Sequence, residues 1–373
     1  MFSGSFNTQW SSESPWLQHV DQQLRVDDDP SLDFSWAGFH ASKSGKQNMH
    51  QQSIGALLSL FYETSSSPSM VCYGIDIISG ITSHLNGKQA TVIFADQPLF
   101  TITKLIQWNW PEKYGENKVV AMLAPFHIEQ VLARVIGQFM TGSGWTTVLA
   151  NSDICSESSA ESLLKVTHVT KARNVHQITA SVLQSLLCEA YEFSASEISF
   201  ETWIDEQTKS CPTFMFWYLV LNLEILLLSF VRSIREADYG SFKETLKIML
   251  PWFFVMDHPN YARWLTIHAK DLEELSIMAP ADVHQEFTNG NFVVRKTCRP
   301  FSALAVNQAH EQHNALIKDR GGAIGLTGDP SSLRRWTMGG PEVTRLLEEF
   351  QNTNESETND LHHEQYLSFQ KKN

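Results

Sequence analysis

Ala90 to Ala95 reads ATVIFA, closed in front by Asn86-Gly87 and behind by Asp96 and Pro98. A short β-branched and aromatic run between turn residues is the pattern of a strand buried on both faces. Lys118 to Leu123, KVVAML, repeats it. A helix-like stretch through Ile106 separates the two. After the second run, Ile128, Val131, Leu132, Val135, Ile136 and Phe139 fall on one helical face that ends near Gly142 and Gly144. Strand, helix, strand, helix predicts an α/β core.

Upstream of this unit, Met70 to Leu85 carries apolar residues close to a 3.6-residue period and predicts a helix after the breaker SSSPS at Ser65 to Ser69. IGALLSLFY, Ile54 to Tyr62, reads as another helix, a buried one. Residues 1–53 are polar, with Asp27, Asp28 and Asp29 before Pro30, and read as a mostly irregular leader with one short docking segment around Phe34 to Phe39. Downstream, Val175 to Tyr191 is helical by pattern and Phe193 to Ser210 reads as a polar connector. Thr213 to Val231, TFMFWYLVLNLEILLLSFV, is long enough to weigh as a membrane span. Asn222 and Glu224 near its centre favour a buried core helix, with an arginine such as Arg232 or Arg263 as the partner of Glu224. Helices are also expected over Phe242–Met256, Asn260–Leu275 and Ala303–Lys318. Asp329-Pro330 supplies an N-cap and an N1 proline for one over Ser331–Met338, and residues 351–373 form a polar tail.

The chain has 373 residues, 42% hydrophobic and 18% charged, with 22 Phe and 11 Trp, a composition that excludes disorder throughout. That length allows one large domain or two. Lys+Arg number 28 against 41 Asp+Glu, a net charge of −13. Such a chain repels phosphate backbones at long range, so any nucleic-acid contact must come from local basic patches. Cysteines at 72, 155, 188, 211 and 298 are odd in number and contain no CxxC, which predicts free thiols in a reducing, intracellular compartment.

Three constellations could carry chemistry. Asp96 follows the first strand, where α/β sheets open into a ligand crevice, although an N-cap of the next helix needs the same residue. Phe126-His127-Ile128-Glu129 follows the second strand and would place His127 or Glu129 at the same edge. Gln308 to Asn314 is helical, with His310 and His313 three apart and Glu311 about 100° round from His310; it is not the HExxH zinc motif, because the second His comes one residue early. Gly321 to Gly328 is glycine-rich but has neither GK[ST] nor GxGxxG, and reads as a flexible loop. Tyr261-Ala262-Arg263-Trp264 and Arg334-Arg335-Trp336 pair arginine with aromatics, as nucleic-acid contacts do; internal salt bridges would use the same arginines.

The blocks ADQPLF, QWNWPEKYGE, APFHIEQVLARVIG, HVTKARNVHQITA, PWFFVMDHPNYARW and FSALAVNQAHEQHNALIKDRGGAIGLT resemble a group of multicopy, uncharacterised invertebrate proteins over about Trp36 to Phe350. More distantly, they are similar to mobile-element-associated proteins with a suspected RNase H-like, DDE-transposase-type fold. That resemblance implies an RNase H-like mixed-sheet core with a large, mainly helical insertion. Residues 54–148 would begin the core, 149–282 form the insertion, and 283–350 complete the core with the Glu311 helix. In such folds three acidic residues hold two Mg²⁺ or Mn²⁺ ions about 3.5 to 4 Å apart to cut or transfer DNA strands. Carried over, Asp96 would be the first and Glu311 the third, with Asp96, His127 and Glu311 as metal ligands. At the second position, where the distant relatives read Gly-Asp, this chain reads Ala124-Pro125, leaving Glu129 or His127 to substitute, and His127 is a poor ligand for magnesium. Two readings stand: a transposase-derived, metal-dependent DNA nuclease or strand transferase acting in the nucleus through Asp96, Glu129 and Glu311, with Arg263, Trp264, Arg334, Arg335 and Trp336 on DNA; or a non-enzymatic protein that binds nucleic acid or a protein partner. Neither calls for a membrane.

Overall fold

The computed structural model describes residues 13–23, 35–44, 51–55, 58, 67–87, 89–318 and 329–354. Helices α1 (13–23) and α2 (Trp36–Lys43) precede α3 (Pro68–Leu85), β1 (Thr91–Ala95), α4 (Gln97–Asn109), the single turn α5 (Pro111–Tyr114), β2 (Val119–Leu123) and α6 (Pro125–Phe139). Helices then carry the chain alone: α7 (Trp145–Asn151), α8 (Glu157–Leu164), α9 (Val169–Ser194), α10 (Phe200–Ser210), α11 (Pro212–Glu236), α12 (Tyr239–Val255), α13 (Pro259–Met278) and α14 (Ala281–Thr288). A short antiparallel ladder of β3 (Val294–Arg295) and β4 (Ala303–Leu304) leads into α15 (Val306–Lys318) and α16 (Pro330–Asn354). The chain divides into two compact units, Met1–Ser53 with Ser65–Glu311, and Ile54–Thr64 with Gln312–Asn373.

The expected α/β class is corrected by this architecture. The protein is mostly helical, and among the described residues there are only two sheets of two strands each, so no RNase H-like mixed sheet is formed. Both predicted strands exist and pair in parallel from Thr91 opposite Val119 to Ala95 opposite Leu123, and Ala124 N extends the ladder to Ala95 O at 2.8 Å. They make one βαβ unit and stop there. Around them α3 packs on β1, and α4 and α13 pack on β2, so helices fill the surroundings that further strands would occupy. The runs ATVIFA and KVVAML specify strands locally; nothing in either run says how many others will join.

In the first unit the core is built around α11, which packs against α6, α9, α10 and α12. It is the one helix among the described residues long and apolar enough to cross a membrane, and 67% of its most apolar window is buried inside the protein. Glu224 sits in that helix with no exposed surface, and its partner is His176 of α9, whose Nδ1 lies 2.8 Å from Oε2. The expected arginines are elsewhere: Arg232 lies 3.0 Å from Glu236 and 3.4 Å from Glu13, and Arg263 is exposed. Part of the polar leader also folds into this core. Trp16, Leu17 and Val20 of α1 and Trp36 of α2 are buried, and Trp36 Nε1 donates to the buried Glu13 at 3.0 Å. The stretch read as a connector contains α10, capped by Ser199, where Trp203 and Ile204 alone are buried. All five cysteines are free.

In the second unit Ser332 N donates to Asp329 at 2.8 Å, the expected N-cap, but α16 continues well past Met338 to Asn354. Arg345 pairs along it with Glu342 and Glu349. Most of Ile54–Tyr62, all of Gly321–Gly328 and the tail from 355 lie outside the described residues.

Helix α6 crosses α8 at Gly137, where an added Cβ would fall 2.2 Å from the carbonyl oxygen of Leu164. Backbone cannot yield as a side chain does, so Gly137→Ala should destabilise the fold by about 1–3 kcal/mol. Urea unfolding measures this, and an unchanged midpoint would mean that the two helices are not in contact at Gly137.

Candidate functional site

At the carboxyl ends of the parallel strands, Asp96 accepts from Leu99 N at 3.0 Å and N-caps α4. It also faces Tyr261: burial pushes that phenol up to about 12, and the Asp96 charge adds to the shift. His127 is half-buried beside the Phe126 ring. Glu129, one turn into α6, is buried and gripped through both oxygens by Arg173 of α9, with Nη2 to Oε2 at 2.6 Å. Gln308 reaches the same guanidinium at 3.4 Å, and Asn307 accepts from Phe126 N at 3.1 Å. The buried face of α15 therefore presents Asn307, Gln308 and Ala309, whereas His310 and Glu311 are exposed. Asp96, Glu129 and Glu311 thus have three separate surroundings: a helix cap, a buried ion pair and solvent. Among the described residues no three His, Cys, Asp or Glu side chains gather in a way that could hold a metal ion.

The aromatic and basic candidates are divided in the same way. Arg263 is exposed, but its neighbour Trp264 is core, stacked on Trp108 at 6.1 Å and edge-on to Phe100. In the second unit Arg334 and Arg335 are exposed and Trp336 is half-buried. Arg335 Nε reaches Ser331 O at 3.3 Å.

Beneath α4 lies a charge cluster built on a buried lysine, with partly exposed carboxylates. Lys104, 1% exposed, pairs with Glu116 and, at 2.9 Å, with Asp271. His268 packs edge-on to Phe100, and neither ring nitrogen has a hydrogen-bond partner. Burial, with the Lys104 charge behind it, holds this imidazole at about 3.

An apolar groove of about 420 Å³ lies between α7, α9 and α11. Its floor is made by Trp145, Leu149, Leu187 and Leu221, all buried. Its rim is not: Val148 is 61% exposed, Val182 46% and Leu186 54%. Ile178, Val182 and Leu186 recur every fourth residue and form one straight ridge along α9. Trp145 is fixed from below, since Nε1 donates to Thr179 at 3.0 Å and the indole stacks on His176, the residue that holds Glu224. This site was not singled out from the sequence. Its signal was present in α9, where the apolar row Ile178, Val182 and Leu186 lies beside the buried row of Ala172, Val175 and His176, about a fifth of a turn round the helix.

A model described as a domain of unknown function, DUF8702, matches residues 35–202 and 194–373 of the chain. No curated protein and no solved structure matches.

Two outcomes follow from these geometries. Asp96→Ala should cost about 1 kcal/mol through the lost cap, while Asp96→Asn, an equally good N-cap, should melt like wild type; equal losses in both would give the Asp96 charge a role beyond capping. For His268, both states are neutral above pH 6.5, and between 6.5 and about 3 only the unfolded chain takes up the proton. Stability therefore falls on acidification, by up to about 1.4 kcal/mol per pH unit from this group. His268→Leu should flatten that slope in urea titrations across the window; a slope identical to wild type would place the imidazole in contact with solvent.

Proposed function

The chain belongs to the DUF8702 family, a domain of unknown function, and we propose that it is a binding module whose α7–α9–α11 groove takes the apolar face of a basic amphipathic helix from a partner protein. The observation that carries this reading is the exposed ridge Ile178, Val182 and Leu186 standing beside a concave apolar floor. Isolated exposed apolar residues are ordinary, but a contiguous row bordering a groove is the form in which helix-in-groove recognition occurs. Rows spaced by four residues are also the ridges that pack into the grooves of another helix. All three walls are helical, and the half-open shape suits a partner side-chain row better than an enclosed ligand.

Charge selects the kind of helix. Asp153 and Glu189 are exposed next to the lining residues Ile154 and Ala190, and the chain as a whole carries −13. A lysine- or arginine-flanked apolar face would be steered to the groove, and a second copy of this chain would be repelled. Each large apolar side chain fully buried contributes about 1.5–3 kcal/mol, and association costs consume much of a three-anchor total, so an affinity on the order of micromolar is expected.

The test is titration with an 18-residue Leu/Lys peptide of 3.6-residue apolar period, followed by tryptophan fluorescence. Leu186→Asp, on an exposed position, should leave the melting temperature unchanged and weaken binding about thirtyfold, roughly 2 kcal/mol. An acidic Leu/Glu peptide should bind more weakly than the Lys version, most clearly at low salt. Saturable binding of a fatty acid with no peptide binding would make the groove a small-molecule pocket and end the helix reading.

A further inference from the structure

A second cavity, of about 230 Å³, is lined by Arg235 at the end of α11, by Arg295 on β3 and by Arg299 in the turn that leads to β4, with Ser44, Ser302 and Glu236 around them. Glu236 lies 3.0 Å from Arg232, which it shares with Glu13. Among the described residues none of the three lining arginines has a carboxylate partner, and Arg295 is only 8% exposed. The guanidinium of Arg235 is held by aromatic rings instead, 5.5 Å from the centre of Phe301 and 5.8 Å from that of Trp36. Arg295 gives one bond, from Nη1 to Asn291 at 3.3 Å. In a chain of net charge −13, three arginines lining one cavity with Glu236 as its single carboxylate is an unbalanced arrangement, and the buried Arg295 in particular calls for an anion and hydrogen-bond acceptors.

We propose that this cavity binds a small phosphate-bearing anion, with Arg235, Arg295 and Arg299 donating to its oxygens. Guanidinium groups offer planar pairs of N–H donors matched to phosphate oxygens, and a terminal phosphoryl group accepts from three directions at once. A phosphate dianion also neutralises more of the three positive charges than a carboxylate does. The two arginines seated deepest are the ones whose charge is least favoured unliganded: burial lowers the pKa of Arg295, and burial followed by repulsion from Arg173, partly opposed by attraction to Glu129, lowers that of Arg235. The volume lies below the roughly 300 Å³ at which pockets for drug-sized ligands begin, so the group it admits is a phosphoryl on a short stem. The inference is independent of the helix groove, which shares none of these residues.

The experiment is calorimetric titration of the full chain with inorganic phosphate and, separately, with glycerol phosphate, against acetate and chloride at matched ionic strength. Saturable binding of either phosphate, with neither control binding, is the expected result; tighter binding of glycerol phosphate assigns the site to a phosphomonoester, and equal binding assigns it to free phosphate. Arg299→Gln is exposed and safe for folding, and should weaken the phosphate affinity about tenfold. Arg295→Met removes an unpaired buried charge, so it should melt no lower than wild type and yet lose the stabilisation that phosphate confers. Equal heats for phosphate and chloride, or identical phosphate affinity in wild type and Arg299→Gln, would overturn the proposal.

Discussion

Glu224 is a carboxylate without exposed surface in the most apolar helix of the protein, and His176 is what makes it tolerable. Burial pushes the carboxyl pKa up and the imidazole opposes that push. An unpaired charge there would cost several kcal/mol, so α9 and α11 are held to one register; a slip of one turn, about 5.4 Å, would separate the pair. The same His176 stacks under Trp145, and Thr179, nearly one turn on, accepts from its indole. The polar pair therefore determines the position of the groove floor, and the exposed ridge of α9 is where it is because α9 must present His176 inward.

Other internal charges play two different parts. Glu129 with Arg173, Lys104 with Glu116 and Asp271, and Glu13 with Arg232 are matched pairs that tie together elements far apart in sequence. Arg235 and Arg295 are not matched in that way. Arg235 lies close enough to Arg173 to feel its repulsion, so the matched network and the basic cavity are neighbours in the same unit. Arg235, Arg295 and Arg299 thus line one cavity, while Asp153 and Glu189 beside the groove face solvent.

The elements were far more legible than their assembly. ATVIFA and KVVAML form the two strands expected of them, and Asp329-Pro330 starts its helix, because strand runs and caps are decided by neighbours in sequence. The sheet was misread because parallel pairing with further strands depends on segments far away, and those segments are helical. Glu224 was recognised as needing a partner, but Arg232 and Arg263 were favoured for their charge; which side chain arrives at its depth is decided by helix packing. Asp96 was assigned two roles, and the cap is the one its geometry displays. Trp264 carried the pattern of a stacking residue, yet it stacks on Trp108, since an indole at that register of α13 faces the core. The groove escaped notice because an exposed apolar row on an otherwise amphipathic helix differs from a buried one only once the neighbouring helices are in place.

The most direct measurement is hydrogen exchange read by mass spectrometry, with and without the Leu/Lys helix. The account requires slowed exchange confined to α7, the following turn, α9 and the first turns of α11, with the α4, α13 and β1–β2 region unchanged. Protection elsewhere in the chain, or none at peptide concentrations that saturate the fluorescence signal, would contradict it.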